Sequence, residues 1–278
     1  MIFGKILDGI DEVHAQIQND FDIDLQQNLS VATVLMRGEH AVFPKTEAAM
    51  KRFLTAEDGK TMRPFNIVSA FVDFEEIYAE FHSEQHGLSI EEGTGFLQHY
   101  GFPTDVFDLS PCFNTARFFA TYDKPEEQIG IIGAFERATL KGSFKITDLS
   151  HHPFALRPAR QLAYSARPLG QIKNLKDPLC DARFKSVWYK FYKSPADLDF
   201  AKRNLAYVYP SEGEIDFFFG SDVQDFVTAH CTFEEMTNDQ KKAVLEKVDS
   251  IRGQLSVNAE FFANVPPLCG ADAESAIV

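Results

Sequence analysis

The chain has 278 residues, 45% of them hydrophobic and 24% charged, which is ordinary for a soluble protein and enough to bury a substantial core. Its 27 basic and 41 acidic residues leave a formal charge of −14, which argues against general nucleic-acid binding and against anionic membranes but leaves room for a small anion in a locally basic pocket. Cys112, Cys180, Cys231 and Cys269 are widely spaced with no Cys-x-x-Cys pair, no charged-then-apolar leader opens the chain, and no long apolar run follows, so a cytoplasmic protein with reduced thiols and no membrane span is expected.

Residues 2–29 read as a helix and a polar connector, because Ile2, Ile6, Ile10, Val13 and Ile17 recur at helical spacing before the acidic, amide-rich run from Asn19 to Asn28. Ser30 to Met36 is apolar and β-branched, a buried strand that runs into Arg37-Gly38-Glu39. Arg37 at the strand's mouth either pairs with a nearby carboxylate or forms a fork for a phosphate or ribose hydroxyl. Gly38 lets a ligand or another backbone come close. Helices are predicted over Pro44 to Leu54, Pro64 to Phe81 and Ser89 to Tyr100; the last opens with a Ser89/Glu92 capping box and is weakened by Gly93 and Gly95.

Gln98 to Ala120 is the most informative stretch. Gln98, His99 and Tyr100 precede a break at Gly101-Phe102-Pro103; Asp105 to Leu109 alternates like a half-buried strand, and Ser110-Pro111 reads as an N-cap with proline at the first helical position. Phe113, Ala116, Phe119 and Ala120 then recur at helical spacing. A strand that delivers Asp108 and Ser110 to a helix N-terminus is a common ligand site in folds that mix strands and helices.

Strands are expected over Gln128 to Phe135 and Ser143 to Leu149. His151-His152 has no Cys or carboxylate at ligand spacing, and no metal site is expected. Arg157 and Gln161 stand four apart; Gln161, on a strand or loop, either offers its amide to a sugar hydroxyl or satisfies backbone. An irregular connector starts at Arg167. Lys185 to Tyr192 reads as a core element with lysine stems along its edge. A helix is predicted over Ala196 to Leu205, strands over Ala206 to Tyr209 and Ile215 to Phe219 around the turn Pro210 to Gly213, and a helix from Thr237 to Ile251 ended by Gly253.

Arg37-Gly38-Glu39 and the run Gln98-His99-Tyr100-Gly101-Phe102-Pro103-Thr104, with Asp108, Ser110 and Ala116 to Ala120, resemble the FRG domain, a bacterial and phage-associated family named for an aromatic-Arg-Gly motif. The family's later Arg-x-x-x-Gln-x-Gly appears as Arg157 and Gln161, with Ala163 at the glycine position. Met36 replaces the usual aromatic residue, and Asp105 stands where the family often has arginine. The order of motifs is distantly similar to that of ADP-ribosyltransferases. That likeness implies Arg37, Ser110 and Gln161 as catalytic residues: Arg37 holding the dinucleotide, Ser110 supporting the nicotinamide ribose, and Gln161 binding the ribose 2′-hydroxyl. Arg37, Gly38, Gln98, His99, Tyr100 and Asp108 are then the NAD-binding set, with His99 and Tyr100 either stacked on the nicotinamide ring or simply packed.

The expected fold is α+β, a mixed or mostly antiparallel sheet flanked by helices with an ADP-ribosyltransferase-like core. Residues 1–29 form an N-terminal helix and connector, 30–165 the FRG-like core, and 166–278 an extension packed on it. The resemblance implies an NAD-using transferase, a toxin or phage-conflict factor, acting on a protein acceptor. A neutral Gln161 leaves the alternative of a non-catalytic module that senses a nucleotide or engages a protein.

Overall fold

A computed structural model describes residues 3–54, 62–122, 127–152, 155–170, 174–176, 183–205, 212–223, 225 and 237–256. The fold is α+β, with one mixed and one antiparallel sheet between helices. Strand β1 (Phe3–Leu7) is followed by helices α1 (Ile10–Phe21) and α2 (Leu25–Val31), then β2 (Val34–Glu39). Helices α3 (Ala49–Phe53), α4 (Phe65–His86) and α5 (Ile90–His99) lead to β3 (Phe107–Leu109) and α6 (Phe113–Thr121). Next come β4 (Ile129–Glu136), α7 (Arg137–Leu140), β5 (Phe144–Asp148), α8 (Leu156–Arg160), β6 (Tyr164–Pro168) and β7 (Ser186–Tyr192). Helices α9 (Pro195–Arg203), α10 (Glu212–Phe219) and α11 (Asn238–Ser256) complete the described chain.

The larger sheet runs β1-β7-β4-β2, with β1 parallel to β7 and the other pairs antiparallel. It draws a strand from residues 1–29, two from 30–165 and one from 166–278, so one sheet threads all three segments. The smaller sheet, β3-β6-β5, is antiparallel throughout. Alternation along β2 decides the layers. Val34 and Met36 face a core shared with Ile10, Val13 and Ile17 of α1 and Ala116 and Ala120 of α6. Leu35 faces the opposite core with Phe107, Phe144, Tyr164 and Trp188, where the two sheets pack together. The outer face of the small sheet is covered by α5, and α4, α10 and α11 pack behind it around Phe74, Tyr78, Phe96 and Phe218.

The sheets are joined by one bridge. Met36 N–H donates to the Ser110 carbonyl at 2.6 Å, and Ser110 N–H donates to the Met36 carbonyl at 2.9 Å. Buried Asn28 reinforces it: its amide donates to the carbonyls of Val34 and Pro111, and its oxygen accepts from Val34 N–H.

Several expectations need correction. Residues 3–7 are a strand, and the first helix begins at Ile10; the presumed connector contains α2, closed by Ala32 at φ 48°. The second strand starts at Val34 and carries Arg37, Gly38 and Glu39 within it. Only the end of Pro44 to Leu54 is helical. Residues 215–219 belong to helix α10, because Phe218 and Phe219 are fully buried against Phe96 of α5 and Tyr78 of α4. Residues 206–209 lie outside the described chain. Helix α11 continues past Gly253 to Ser256. Cys112 is disulfide-bonded, which corrects the expectation of reduced thiols at this position. Among the described residues, no helix is long and apolar enough to cross a membrane.

Helices α4 and α5 form as their patterns dictate. Gly87 at φ 69° closes α4, and the Ser89/Glu92 capping box opens α5. Gly93 costs α5 intrinsic propensity but allows the close crossing with α4: a Cβ there would lie 2.9 Å from Ala79 Cα.

Candidate functional site

A cleft of about 230 Å³ opens beside the bridge between the sheets. The ends of β2 and β3, the start of α6, the C-terminal turn of α5, and α8 with its exit converge on it. Arg37, Gly38, Gln98, His99, Asp108, Ser110 and Gln161, distant in sequence, all line it.

Arg37 comes from β2. Its Nη1 donates to the Asp108 carbonyl at 2.9 Å, which ties the guanidinium to β3. Its Nε stands 3.9 Å from Glu39, too far for a hydrogen bond. Glu39 itself is engaged elsewhere, by Thr46 Oγ1 at 2.6 Å and by the buried Lys176 ammonium. Gly38 touches the cleft, but a Cβ on it would point into α6, 1.9 Å from the Ala116 carbonyl oxygen. Its bare backbone is there to let β2 and α6 meet.

Ser110 is not the N-cap of α6; Cys112 is. The Ser110 hydroxyl accepts from Cys112 N–H at 3.0 Å and donates to the Gln161 carbonyl at 2.7 Å. Thr115 donates to the same carbonyl at 3.3 Å. Thus the only hydroxyl proton of Ser110 is committed to backbone, and Ser110 fixes Gln161 in place. Gln161 is 2% exposed and sits at the C-cap of α8, neither strand nor open loop, followed by Leu162 at φ 46°.

Asp108 is the one carboxylate among the cleft-lining residues described. Phe107 and Leu109 turn into the inter-sheet core, so strand alternation puts Asp108 on the cleft side. Gln98 receives a hydrogen bond from Thr104 at 2.8 Å and brings its amide nitrogen to 3.5 Å from Asp108 Oδ2. His99, 5% exposed, faces Asp108 Oδ1 with Nε2 across 3.6 Å, and neither of these two buried atoms has a hydrogen-bond partner. Burial lowers the His99 pKa, Arg157 and Arg37 lower it further, and Asp108 pulls the other way.

Tyr100 does not belong to the cleft, which corrects its place in the ligand-binding set. It is buried in the helical core with its ring 4.8 Å from Phe218, and its hydroxyl donates to Glu214 at 2.9 Å. Asp105 points away as well and pairs with Arg167 at 2.9 Å.

Two further arginines line the cleft. Arg157, whose backbone N–H donates to Glu214 at 2.6 Å, holds its guanidinium 5.7 Å from the Tyr100 ring centroid. Its spacing from Gln161 was the available signal. Exposed Arg52, from α3, donates to the Glu47 carbonyl at 2.8 Å. Partial desolvation by the surrounding protein lowers its pKa although the residue stays exposed, and Arg37 adds to the shift, as expected for two cations sharing a cleft. Nothing local to Arg52 marks it as a site residue. Three guanidiniums against one carboxylate make this cleft cationic on a chain of charge −14. Among the described residues, no group of three or more His, Cys, Asp or Glu is placed to hold a metal ion.

No family model, curated protein or solved structure was found to match the chain.

Proposed function

We propose that this cleft binds NAD and that the protein cleaves the nicotinamide–ribose bond, passing ADP-ribose to a protein acceptor or to water. The observation that carries the reading is the meeting of Arg37, Ser110 and Gln161 in one cationic cleft, although 124 residues separate the first from the last, as numbered. The volume of about 230 Å³ is below the roughly 300–1,000 Å³ of pockets that enclose drug-sized ligands. The cleft therefore takes the nicotinamide riboside end, and the diphosphate lies toward exposed Arg52. Arg37 and Arg52 supply forked donors for phosphate oxygens, and Ser110 holds Gln161 where its amide meets a ribose hydroxyl.

The neutrality of Gln161 favours a second reading, in which the same cleft binds a nucleotide without turning it over. One experiment separates the two. Purified protein is incubated with NAD, with and without candidate acceptor proteins, while nicotinamide release and the NAD-induced shift in melting temperature are followed. Release that disappears in Arg37→Ala supports the enzyme. A thermal shift without release supports the binding module. Absence of both release and shift refutes NAD as the ligand. Losing a charged hydrogen bond to phosphate, Arg37→Ala is expected to weaken NAD binding about ten- to hundredfold.

A further inference from the structure

We propose that Asp108 is a further catalytic residue, whose carboxylate faces the anomeric carbon of the bound ribose and supplies the negative charge that Gln161 lacks. This rests on the NAD-cleaving reading of the cleft. When the bond between C1′ and the nicotinamide nitrogen breaks, its electron pair goes to the ring nitrogen and neutral nicotinamide leaves. Positive charge develops on C1′ and the ribose ring oxygen. Water then adds through an oxygen lone pair to C1′ and gives up one proton, through Asp108, to solvent. A fixed negative charge beside C1′ lowers the barrier because it interacts more strongly with the transition state than with the bound substrate.

The geometry narrows the source of that charge. Gln161 is neutral. Glu39 lies outside the cleft lining and is bound by Lys176 and Thr46. Glu214 accepts from Tyr100 and from the Arg157 backbone, also outside the lining. Asp108 lines the cleft, and its side chain is 32% exposed. Its Oδ1 is buried without a hydrogen-bond partner, and its Oδ2 has only the 3.5 Å contact with Gln98. A buried carboxylate oxygen left unpaired in a cleft needs a reason, and a substrate centre that becomes cationic provides one. The residue is also held firmly: Arg37 grips its carbonyl, and β3 pairs it with Ser165 of β6. Opposite it, burial lowers the pKa of His99 and so disfavours a competing positive charge there.

The test compares wild type, Asp108→Asn and Asp108→Ala for NAD binding by calorimetry, nicotinamide release, and release in added formate, with a melting curve to show that each variant is folded. Asp108→Asn is expected to keep NAD affinity within about threefold and to lose release by about a hundred- to a thousandfold. Formate, a carboxylate small enough for the space left by Asp108→Ala, is expected to restore part of the loss. Release within about threefold of wild type in either folded variant overturns the role of Asp108 and leaves NAD cleavage standing. Wild-type protein that binds NAD and releases no nicotinamide also overturns it, with the cleft still a nucleotide site. Wild-type protein that neither binds nor cleaves NAD overturns both readings.

Discussion

Replacing Gly38 with alanine tests whether this glycine serves packing or ligand approach. The added Cβ would lie 1.9 Å from Ala116 O, 2.6 Å from Ala120 N and 2.9 Å from Ala116 C, all backbone atoms of α6. No side-chain rotation relieves contacts with backbone, so β2 and α6 must separate by roughly 1 Å or the strand must twist away. Overpacking of this kind costs about 1–3 kcal/mol, and the backbone contact puts Gly38→Ala at about 3 kcal/mol. For a chain of this size that corresponds to a fall in melting temperature of roughly 6–12 °C. Because α6 also contributes Thr115, Ala116 and Phe119 to the cleft, ligand affinity should fall with stability. Urea and thermal denaturation followed by circular dichroism measure the first effect, and ligand titration of the folded protein the second. An alanine variant that melts within about 1 °C of wild type would refute the packing argument.

Tyr100→Phe removes the donor to buried Glu214 while leaving the cleft lining untouched, so a loss of about 1–3 kcal/mol is expected with unchanged ligand affinity. Weaker ligand binding without loss of stability would return Tyr100 to the site. Glu75 gives a pH prediction. Burial raises its carboxyl to about 7, against the pull of Arg167 and Thr94. Its folded value lies above the unfolded value near 4.5, so its contribution is fully present below that pH and is lost as pH rises toward about 7. Urea midpoints of wild type should therefore decline across that window relative to Glu75→Gln, by on the order of 2–3 kcal/mol in all. Parallel profiles for the two proteins would contradict the assignment.

The candidate site was partly legible because its residues carry strong local signals. Gln98 to Thr104 and the Asp108/Ser110 strand exit are contiguous motifs, and the turn at Gly101 has the φ of 96° that glycine favours. The Ser89/Glu92 capping box and the apolar run of β4 likewise depend on neighbours within a few residues. Ser110 shows the limit: its hydroxyl was legible as polar at a helix start, but its bond to the Gln161 carbonyl, 51 residues on, was not.

Sequence by itself thus determined the α+β class, most helices, and the residues able to carry chemistry. Tertiary structure decided which of them meet. Phe217, Phe218 and Phe219 are consecutive apolar residues that suit a strand or a helix, and only the surface offered by Tyr78, Phe96 and Tyr100 selects the helix. Residues 3–7 fit the extrapolated stripe of α1, yet a parallel partner in β7, about 185 residues away, makes them a strand. Tyr100 left the ligand set because Glu214 captured its hydroxyl, and Arg52 and Arg157 entered the cleft from α3 and α8. Periodicity and capping act over one or two turns, whereas strand pairing and the grouping of charges depend on contacts made only once the chain has closed on itself.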